Sequence, residues 1–212
     1  MAIETKSIDP NKPVVAFTFD DGPSEFTGRI LDALEKNGVH ATFFMRGDFV
    51  EEHPQIVARV SQMGHELAPH TWNHPDLTEL TEDEVRKEIK DTQDAITAIT
   101  GHAPVIFRPP YGSINGIGKK VCRELGLAVI NWSLDSWDWQ TLDADAVYNE
   151  VTDAVKDRDI ILCHDQYDST AEAAERILDT LTAQGYQFVT VSELFRYAEK
   201  TLKPGQVYDD AW

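Results

Sequence analysis

Aspartate and histidine side chains recur in short polar segments, each of which follows an apolar run. His70 and His74 stand four residues apart, and the adjacent pair Asp20 and Asp21 follows a different apolar run. Two imidazoles and one carboxylate are a common catalytic set for Zn²⁺ that leaves positions open for water and substrate. Each motif alone is weak evidence, because such histidine pairs also occur in solvated loops and Asp-Asp-Gly-Pro suits a plain turn.

The neighbours Asp20 and Asp21 need different roles if both belong to one site. Side chains of adjacent residues diverge, so one carboxylate can bind a cation while the other faces an attacking water. Two free carboxylates held close together would repel each other and raise the pKa of one of them. A dication and the cationic Arg108 would relieve that repulsion.

The segments that must position these residues alternate between short β-branched or aromatic runs and longer amphipathic runs. We predict strands at 14–19, 41–45, 66–68, 105–107, 128–132, 160–163 and 188–191, and helices at 25–37, 54–63, 81–100, 116–125, 144–156, 170–184 and 192–199. This alternation indicates a parallel sheet with right-handed crossovers, either an open doubly wound sheet or a barrel. We favour an α/β fold with a distorted (β/α) barrel of seven to eight units, similar to a TIM barrel, because the reactive residues follow many different strands.

Length and charge limit the classes of protein and partner. The chain has 212 residues and a formal charge of −18, which predicts one main domain at residues 14–200 between an N-terminal extension (1–13) and a C-terminal tail (201–212). The acidic excess argues against nucleic acid and anionic membranes as partners. No apolar run is long enough to span a bilayer. The first residues lack a signal-peptide pattern, so we expect either a cytosolic protein or a secreted one whose leader is missing from this sequence.

Five polar segments follow successive predicted strands. They are Asp20-Asp21-Gly22-Pro23, His70-Thr71-Trp72-Asn73-His74, Arg108-Pro109-Pro110-Tyr111-Gly112, Asp135-Ser136-Trp137-Asp138-Trp139 and His164-Asp165. The carboxyl ends of parallel strands share one face, where ligands and catalytic groups assemble. The sequence therefore predicts a single site built from distant segments.

In this order, the five segments resemble the motifs of the polysaccharide deacetylases, the NodB-homology domain of carbohydrate esterase family four. The resemblance runs from about residue 14 to about residue 197. It implies that Asp21, His70 and His74 bind one divalent metal. Zn²⁺ is the expected ion, and Co²⁺ and Ni²⁺ are the alternatives. Such a metal would polarise an acetyl carbonyl and acidify a water molecule.

The resemblance also implies roles for five catalytic residues. Asp20 is similar to the general base, and Arg108 to the residue that keeps this base ionised and oriented. The backbone N–H of Tyr111 would donate to the oxyanion. His164 would protonate the leaving amine, and Asp138 would hold its imidazole and raise its pKa.

Apolar and aromatic side chains of the same segments predict the substrate contacts. Trp139 and Leu162 resemble the walls that receive the acetyl methyl group. Trp137 and Tyr111 are candidates for stacking on sugar rings, with packing as the alternative. We can argue no role for Asp135.

We expect a metal-dependent hydrolase that removes N-acetyl groups from β-1,4-linked GlcNAc polymers, of the peptidoglycan or chitin type, and releases acetate. O-deacetylation of acetyl-xylan at the same metal site is an alternative, and a non-catalytic sugar-binding relative is a third. The expected partner is an acetylated polysaccharide or oligosaccharide. We expect a monomer that acts outside the cell or at its surface, with a cytoplasmic location left open.

Overall fold

The computed structural model describes residues 8–212, which form nine strands and nine α-helices. The strands are β1 (Val14–Asp20), β2 (Thr42–Met45), β3 (Glu66–Pro69), β4 (Ile106–Phe107), β5 (Ala128–Ile130), β6 (Leu134–Asp135), β7 (Ile160–His164), β8 (Gln187–Val189) and β9 (Val207–Tyr208). The helices are α1 (Thr27–Asn37), α2 (Gly47–Glu52), α3 (Pro54–Gln62), α4 (Glu82–Thr100), α5 (Gly116–Leu125), α6 (Asp138–Thr141), α7 (Ala144–Ala154), α8 (Asp168–Ala183) and α9 (Val191–Tyr197).

All of the strand pairings are parallel, and they form two groups. One sheet has the order β3-β2-β1-β7-β6, with β8 pairing with the first residues of β1. The other has the order β4-β5-β9. A hydrogen bond from the Arg108 amide to the Pro69 carbonyl (3.3 Å) links the ends of β3 and β4. The predicted distorted (β/α) barrel is confirmed, and its distortion is this division into two sheets.

The strand β1 is fully buried, and its alternating side chains pack into two different apolar clusters. Val14 and Ala16 belong to an apolar cluster with residues of β2, β3, β4, β5 and β7, so they face the inside of the barrel. Phe17 and Phe19 belong to the cluster that packs against α1 and α8. Because side chains alternate between the two faces of a strand, Asp20 continues the inner face at the carboxyl end of β1.

The residues predicted as a C-terminal tail, 201–212, pack against the barrel. In the structure, β9 pairs with β5, Ala211 is buried, and the Trp212 indole donates to the Asp157 carbonyl (2.9 Å). This strand has two residues and no helix follows it, so the alternation of strands and helices did not reveal it. Of the predicted N-terminal extension, residues 1–7 lie outside the described part of the chain.

Four elements were absent from the prediction: α2, β6, α6 and β9. Each has six residues or fewer and lies outside the regular alternation of strand and long helix on which the prediction depends. Within residues 8–212, no helix combines the length and the apolar character needed to cross a bilayer.

Candidate active site

The polar segments meet at the carboxyl ends of the strands, as expected. Asp20 ends β1 and is paired in register with His164, the last residue of β7. His70 directly follows β3, and Arg108 directly follows β4. Segments far apart in the sequence therefore line one face of the barrel.

Asp21, His70 and His74 lie close enough to share one ion. Each offers one ligand atom, and these atoms lie within 4.8 Å of one another. Oδ1 of Asp21 is 3.7 Å from Nε2 of His70 and 3.4 Å from Nε2 of His74. The three residues named from the resemblance are thus brought together.

The protonation of His70 and the hydrogen bonding of Asp21 both suit ligands of a cation. Nδ1 of His70 lies 2.7 Å from the Arg108 carbonyl oxygen, which can only accept, so Nδ1 carries the proton and Nε2 keeps its lone pair. Burial lowers the pKa of His70 to about 3, which keeps the imidazole neutral. Within the described chain, Oδ1 of Asp21 is buried without a hydrogen-bond partner, a costly state that a cation would relieve.

The backbone of the site is strained at two of these three residues. Asp21 has a φ of 71° and His74 a φ of 66°, in the left-handed region that residues other than glycine rarely adopt. Thr71, between the two histidines, has a φ of 68°. Such strain collects where surrounding contacts impose a functional geometry.

Asp20 lies beside a fully buried cation. The Arg108 guanidinium has no exposed surface and donates from Nη1 to Oδ1 of Asp20 (2.7 Å) and to the hydroxyl of Thr18 (2.8 Å). Its other nitrogens donate to the carbonyls of Ile130 and Asn131. Burial raises the pKa of Asp20, and the charge of Arg108 opposes that rise.

His164 is held by the carboxylate of Asp138. Its Nδ1 lies 2.7 Å from Oδ1 of Asp138, and its backbone N–H donates to Oδ2 of the same residue (2.6 Å). The hydroxyl of Thr170 donates to that Oδ2 (2.7 Å). Burial by itself would lower the pKa of His164, but the hydrogen bond and charge of Asp138 outweigh it and raise the pKa to about 9. The imidazole is therefore protonated at neutral pH.

A cavity of about 390 Å³ opens over these groups. Its lining includes the predicted contact residues Tyr111, Trp139 and Leu162. Leu162 is buried, whereas Trp139 is about half exposed. Trp137 is outside the lining and packs on Trp139, with ring centroids 5.8 Å apart. The Tyr111 ring packs on His74 (4.7 Å), and its φ is 59°.

Three further residues at the site were missed by sequence reasoning: Trp132 and Tyr167 line the cavity, and Gln166 hydrogen-bonds to Asp21. Asp135, which the sequence placed in a polar segment without a role, also lines the cavity. Asp135 accepts from the backbone N–H of Trp137 (2.9 Å), at the turn that carries the two tryptophans. The available signal was position, since Gln166 and Tyr167 directly follow the strand that ends at His164.

The chain matches known proteins over most of its length. The sequence profile of the family described as polysaccharide deacetylase matches residues 7–130. The chain is 42% identical over 190 residues to the peptidoglycan-N-acetylmuramic acid deacetylase PdaC of Bacillus subtilis, a match that covers 89% of this chain and 40% of PdaC. The chain thus spans about two fifths of that relative. The solved structure of PdaC matches with a TM-score of 0.87 at 41% identity, over 91% of this chain and 94% of the PdaC chain.

Two other relatives carry different names. A peptidoglycan-N-acetylglucosamine deacetylase of Bacillus cereus is 37% identical over 199 residues, which cover 91% of this chain and 93% of the relative. A family 4 acetyl xylan esterase of Clostridium thermocellum, solved with a cobalt ion, matches with a TM-score of 0.86 at 34% identity, over 93% of this chain and 98% of that one. With five motifs, the barrel and these matches in agreement, the chain belongs to the polysaccharide deacetylase family, carbohydrate esterase family four.

Proposed function

We propose that this chain hydrolyses N-acetyl groups of β-1,4-linked GlcNAc polymers, of the peptidoglycan or chitin type, and releases acetate. The observation that carries the proposal is the convergence of Asp21, His70 and His74 beside a buried aspartate and a protonated histidine. A binding module without catalysis would have no need for this arrangement, because sugar recognition requires neither a cation site nor paired acid and base groups.

Asp21, His70 and His74 would hold one divalent metal, and Zn²⁺ fits this donor set best. Bound there, the metal would supply Lewis acidity toward an acetyl carbonyl and lower the pKa of water. The unpartnered Oδ1 of Asp21 and the free Nε2 of His70 support this assignment.

Asp20 is proposed as the general base that takes a proton from the attacking water. A base must be ionised to accept a proton, and burial works against ionisation of this carboxyl. The hydrogen bond and charge of Arg108 favour its ionised form and fix the direction of Oδ1. The second oxygen, Oδ2, lies 3.7 Å from Nε2 of His70, so it points toward the proposed metal site.

His164 is proposed as the general acid that protonates the leaving amine. An amine leaves poorly as an anion, so amide hydrolysis needs a group that is still protonated at neutral pH. The pKa of about 9 meets this requirement because Asp138 stabilises the imidazolium. This feature favours an amide substrate over an acetyl ester, whose alcohol leaves more readily.

Three residues are proposed to receive the acetyl group. The backbone N–H of Tyr111 would donate to the oxyanion, and the rigid Pro109-Pro110 step before it would help to preorganise that donor. Leu162 and Trp139 line the same cavity and would enclose the methyl group. Trp137, which packs on Trp139, and the exposed Tyr111 ring are proposed to contact the sugar.

The charge of the cavity favours GlcNAc over N-acetylmuramic acid, the two sugars in the names of the peptidoglycan relatives. Asp135 lines the cavity, and an adjoining depression is lined by Asp143, Asp168 and Glu172. Among the described lining residues of the cavity there is no lysine or arginine. With the His164 imidazolium and the proposed metal both engaged at the acetyl group, the lactyl carboxylate of muramic acid would meet these acidic side chains with no lysine or arginine of the cavity to pair with it. A polymer of this kind lies outside the cytoplasmic membrane, so we propose that the protein acts there.

Acetate release from a substrate panel tests this function. The panel contains chitin oligomers, peptidoglycan fragments with N-acetyl groups on either sugar, and acetyl-xylan, each with untreated, chelated and Zn²⁺-restored protein. We expect acetate from GlcNAc-containing substrates, a loss on chelation and recovery with Zn²⁺. Acetate from xylan alone would replace the proposal with an esterase, and turnover insensitive to chelation would remove the metal role.

A further inference from the structure

Gln166 hydrogen-bonds to the oxygen of the proposed metal ligand Asp21 that does not face the histidines. Its Nε2 lies 2.7 Å from Oδ2 of Asp21, and because a carboxylate only accepts, the amide nitrogen is the donor. The other oxygen, Oδ1, faces the imidazoles of His70 and His74 at 3.7 and 3.4 Å. The two oxygens of one carboxylate thus have separate surroundings.

We propose that Gln166 is a positioning residue for the metal, which fixes the Asp21 carboxylate so that Oδ1 is the ligand oxygen. This inference rests on the proposed metal site. A carboxylate without an outer hydrogen bond can rotate about its Cβ–Cγ bond and present either oxygen, or both, to a cation. Outer-shell hydrogen bonds orient ligands in this way, and their loss typically weakens metal affinity by about 10- to 100-fold.

The chemistry of glutamine suits this role better than that of a cation. A lysine or arginine at this position would hold the carboxylate equally well, but its charge would repel a dication. The neutral amide orients Asp21 and leaves its full negative charge for the metal.

The location of Gln166 also ties Asp21 to the acid side of the site. Three consecutive residues, starting with the last residue of β7, contact three partners: His164 contacts Asp138, Asp165 accepts from the hydroxyl of Thr27 (2.5 Å), and Gln166 donates to Asp21. One short segment therefore positions both the proposed general acid and a proposed metal ligand.

Titration of the metal-free protein with Co²⁺ tests the inference. Binding is measured by calorimetry and by the visible absorption of bound Co²⁺. Gln166→Met keeps the length of the side chain and removes the donor, and Gln166→Glu replaces the donor with a like charge. We expect Co²⁺ affinity to fall by about 10- to 100-fold in Gln166→Met. The Gln166→Glu carboxylate repels Asp21 but attracts a dication, so we expect its affinity also to stay below that of the wild type. Gln184→Glu, at the exposed end of α8, is the matched control for a change of charge and should bind as the wild type does.

The outcomes separate this inference from the proposed function. Wild-type affinity in both Gln166 variants would overturn the positioning role while leaving the metal site intact. A wild-type protein that binds no Co²⁺ would overturn the proposed function itself. Melting temperatures of the metal-free proteins provide the structural control: equal values with weaker Co²⁺ binding support positioning, whereas a fall in melting temperature without a change in affinity would mark Gln166 as structural only.

Discussion

At the scale of single residues, the adjacent aspartates differ in what surrounds their oxygens. Asp20 faces the buried Arg108 guanidinium, while Asp21 faces two imidazoles on one side and an amide on the other. The first environment suits a base that must be oriented and ionised. The second suits a ligand whose charge is left for a cation.

Asp20→Asn tests this division of roles. The amide oxygen can still accept from Arg108, so we expect the fold and the metal affinity to be nearly unchanged. An amide cannot take a proton from water, so kcat should fall by about 10²- to 10⁴-fold. Metal titration and acetate release, with Asp21→Asn as the counterpart that loses the metal, provide the measurement. If Asp20→Asn lost the metal and Asp21→Asn kept it, the two roles would be exchanged.

The pKa of His164 predicts the basic limb of the pH profile of kcat. Its folded pKa of about 9 lies above the ordinary 6.5, so the acid form persists through neutral pH and is lost as the pH rises through 9. We expect kcat for an N-acetyl substrate to fall above about pH 9, measured as acetate release across the range. His164→Ala should remove this limb and should harm amides more than activated acetyl esters, whose leaving groups need no proton. Equal losses on both substrates would make the histidine structural.

At the scale of elements, short strands suffice because each delivers its polar residue at its carboxyl end. The inner face of β1 continues from Ala16 through Thr18 to Asp20, so the pleat itself directs the proposed base into the barrel. The helices around them need stable ends, and α4 begins with a capping box between Thr81 and Glu84.

Thr81→Ala tests how much that cap contributes. The substitution removes the oxygen that accepts from the Glu84 amide, and an N-cap of this kind contributes about 1 kcal/mol to the free energy of unfolding. Urea denaturation provides the measurement. Thr97→Ala, the same substitution inside α4, is the control and should leave stability the same or slightly higher, because alanine is the better helix former. Equal losses in both variants would show that the cap is unimportant.

At the scale of the whole molecule, stability in acid depends on histidines that are buried without charge. His65 is 5% exposed, its Nδ1 accepts from the Ala41 amide (3.2 Å), and burial lowers its pKa to about 3. The unfolded chain binds a proton near pH 6.5 and the folded one does not. Stability therefore falls as the pH drops below about 6.5.

His65→Asn isolates this contribution, since its side-chain oxygen can replace Nδ1 as an acceptor. Between pH 7.5 and pH 5, we expect the free energy of unfolding of the wild type to fall by about 2 kcal/mol more than that of the variant. Urea denaturation of both proteins at several pH values measures the difference. Parallel curves would show that His65 is not the group responsible.

The seven strand–helix units were predictable because each joins a short apolar run to an amphipathic helix of seven residues or more. All seven predicted strands and helices have counterparts in the structure, with ends that differ by a few residues. The short elements β6, α6 and β9 were not predictable, since each has two to four residues and lies outside these seven units. They take their conformation from the surface they pack against.

By itself, the sequence determined the alternation of strands and helices, the family, and the five segments that would meet at one face. Local composition and order are enough for these, because strand period and turn chemistry act over a few residues. Only the tertiary structure decided which oxygen of Asp21 faces the imidazoles, that Thr170 and the His164 amide also bind Asp138, and that Gln166 joins the site. Gln166 and Asp21 are 145 positions apart, and such a contact depends on strand register and side-chain burial, which no local pattern encodes.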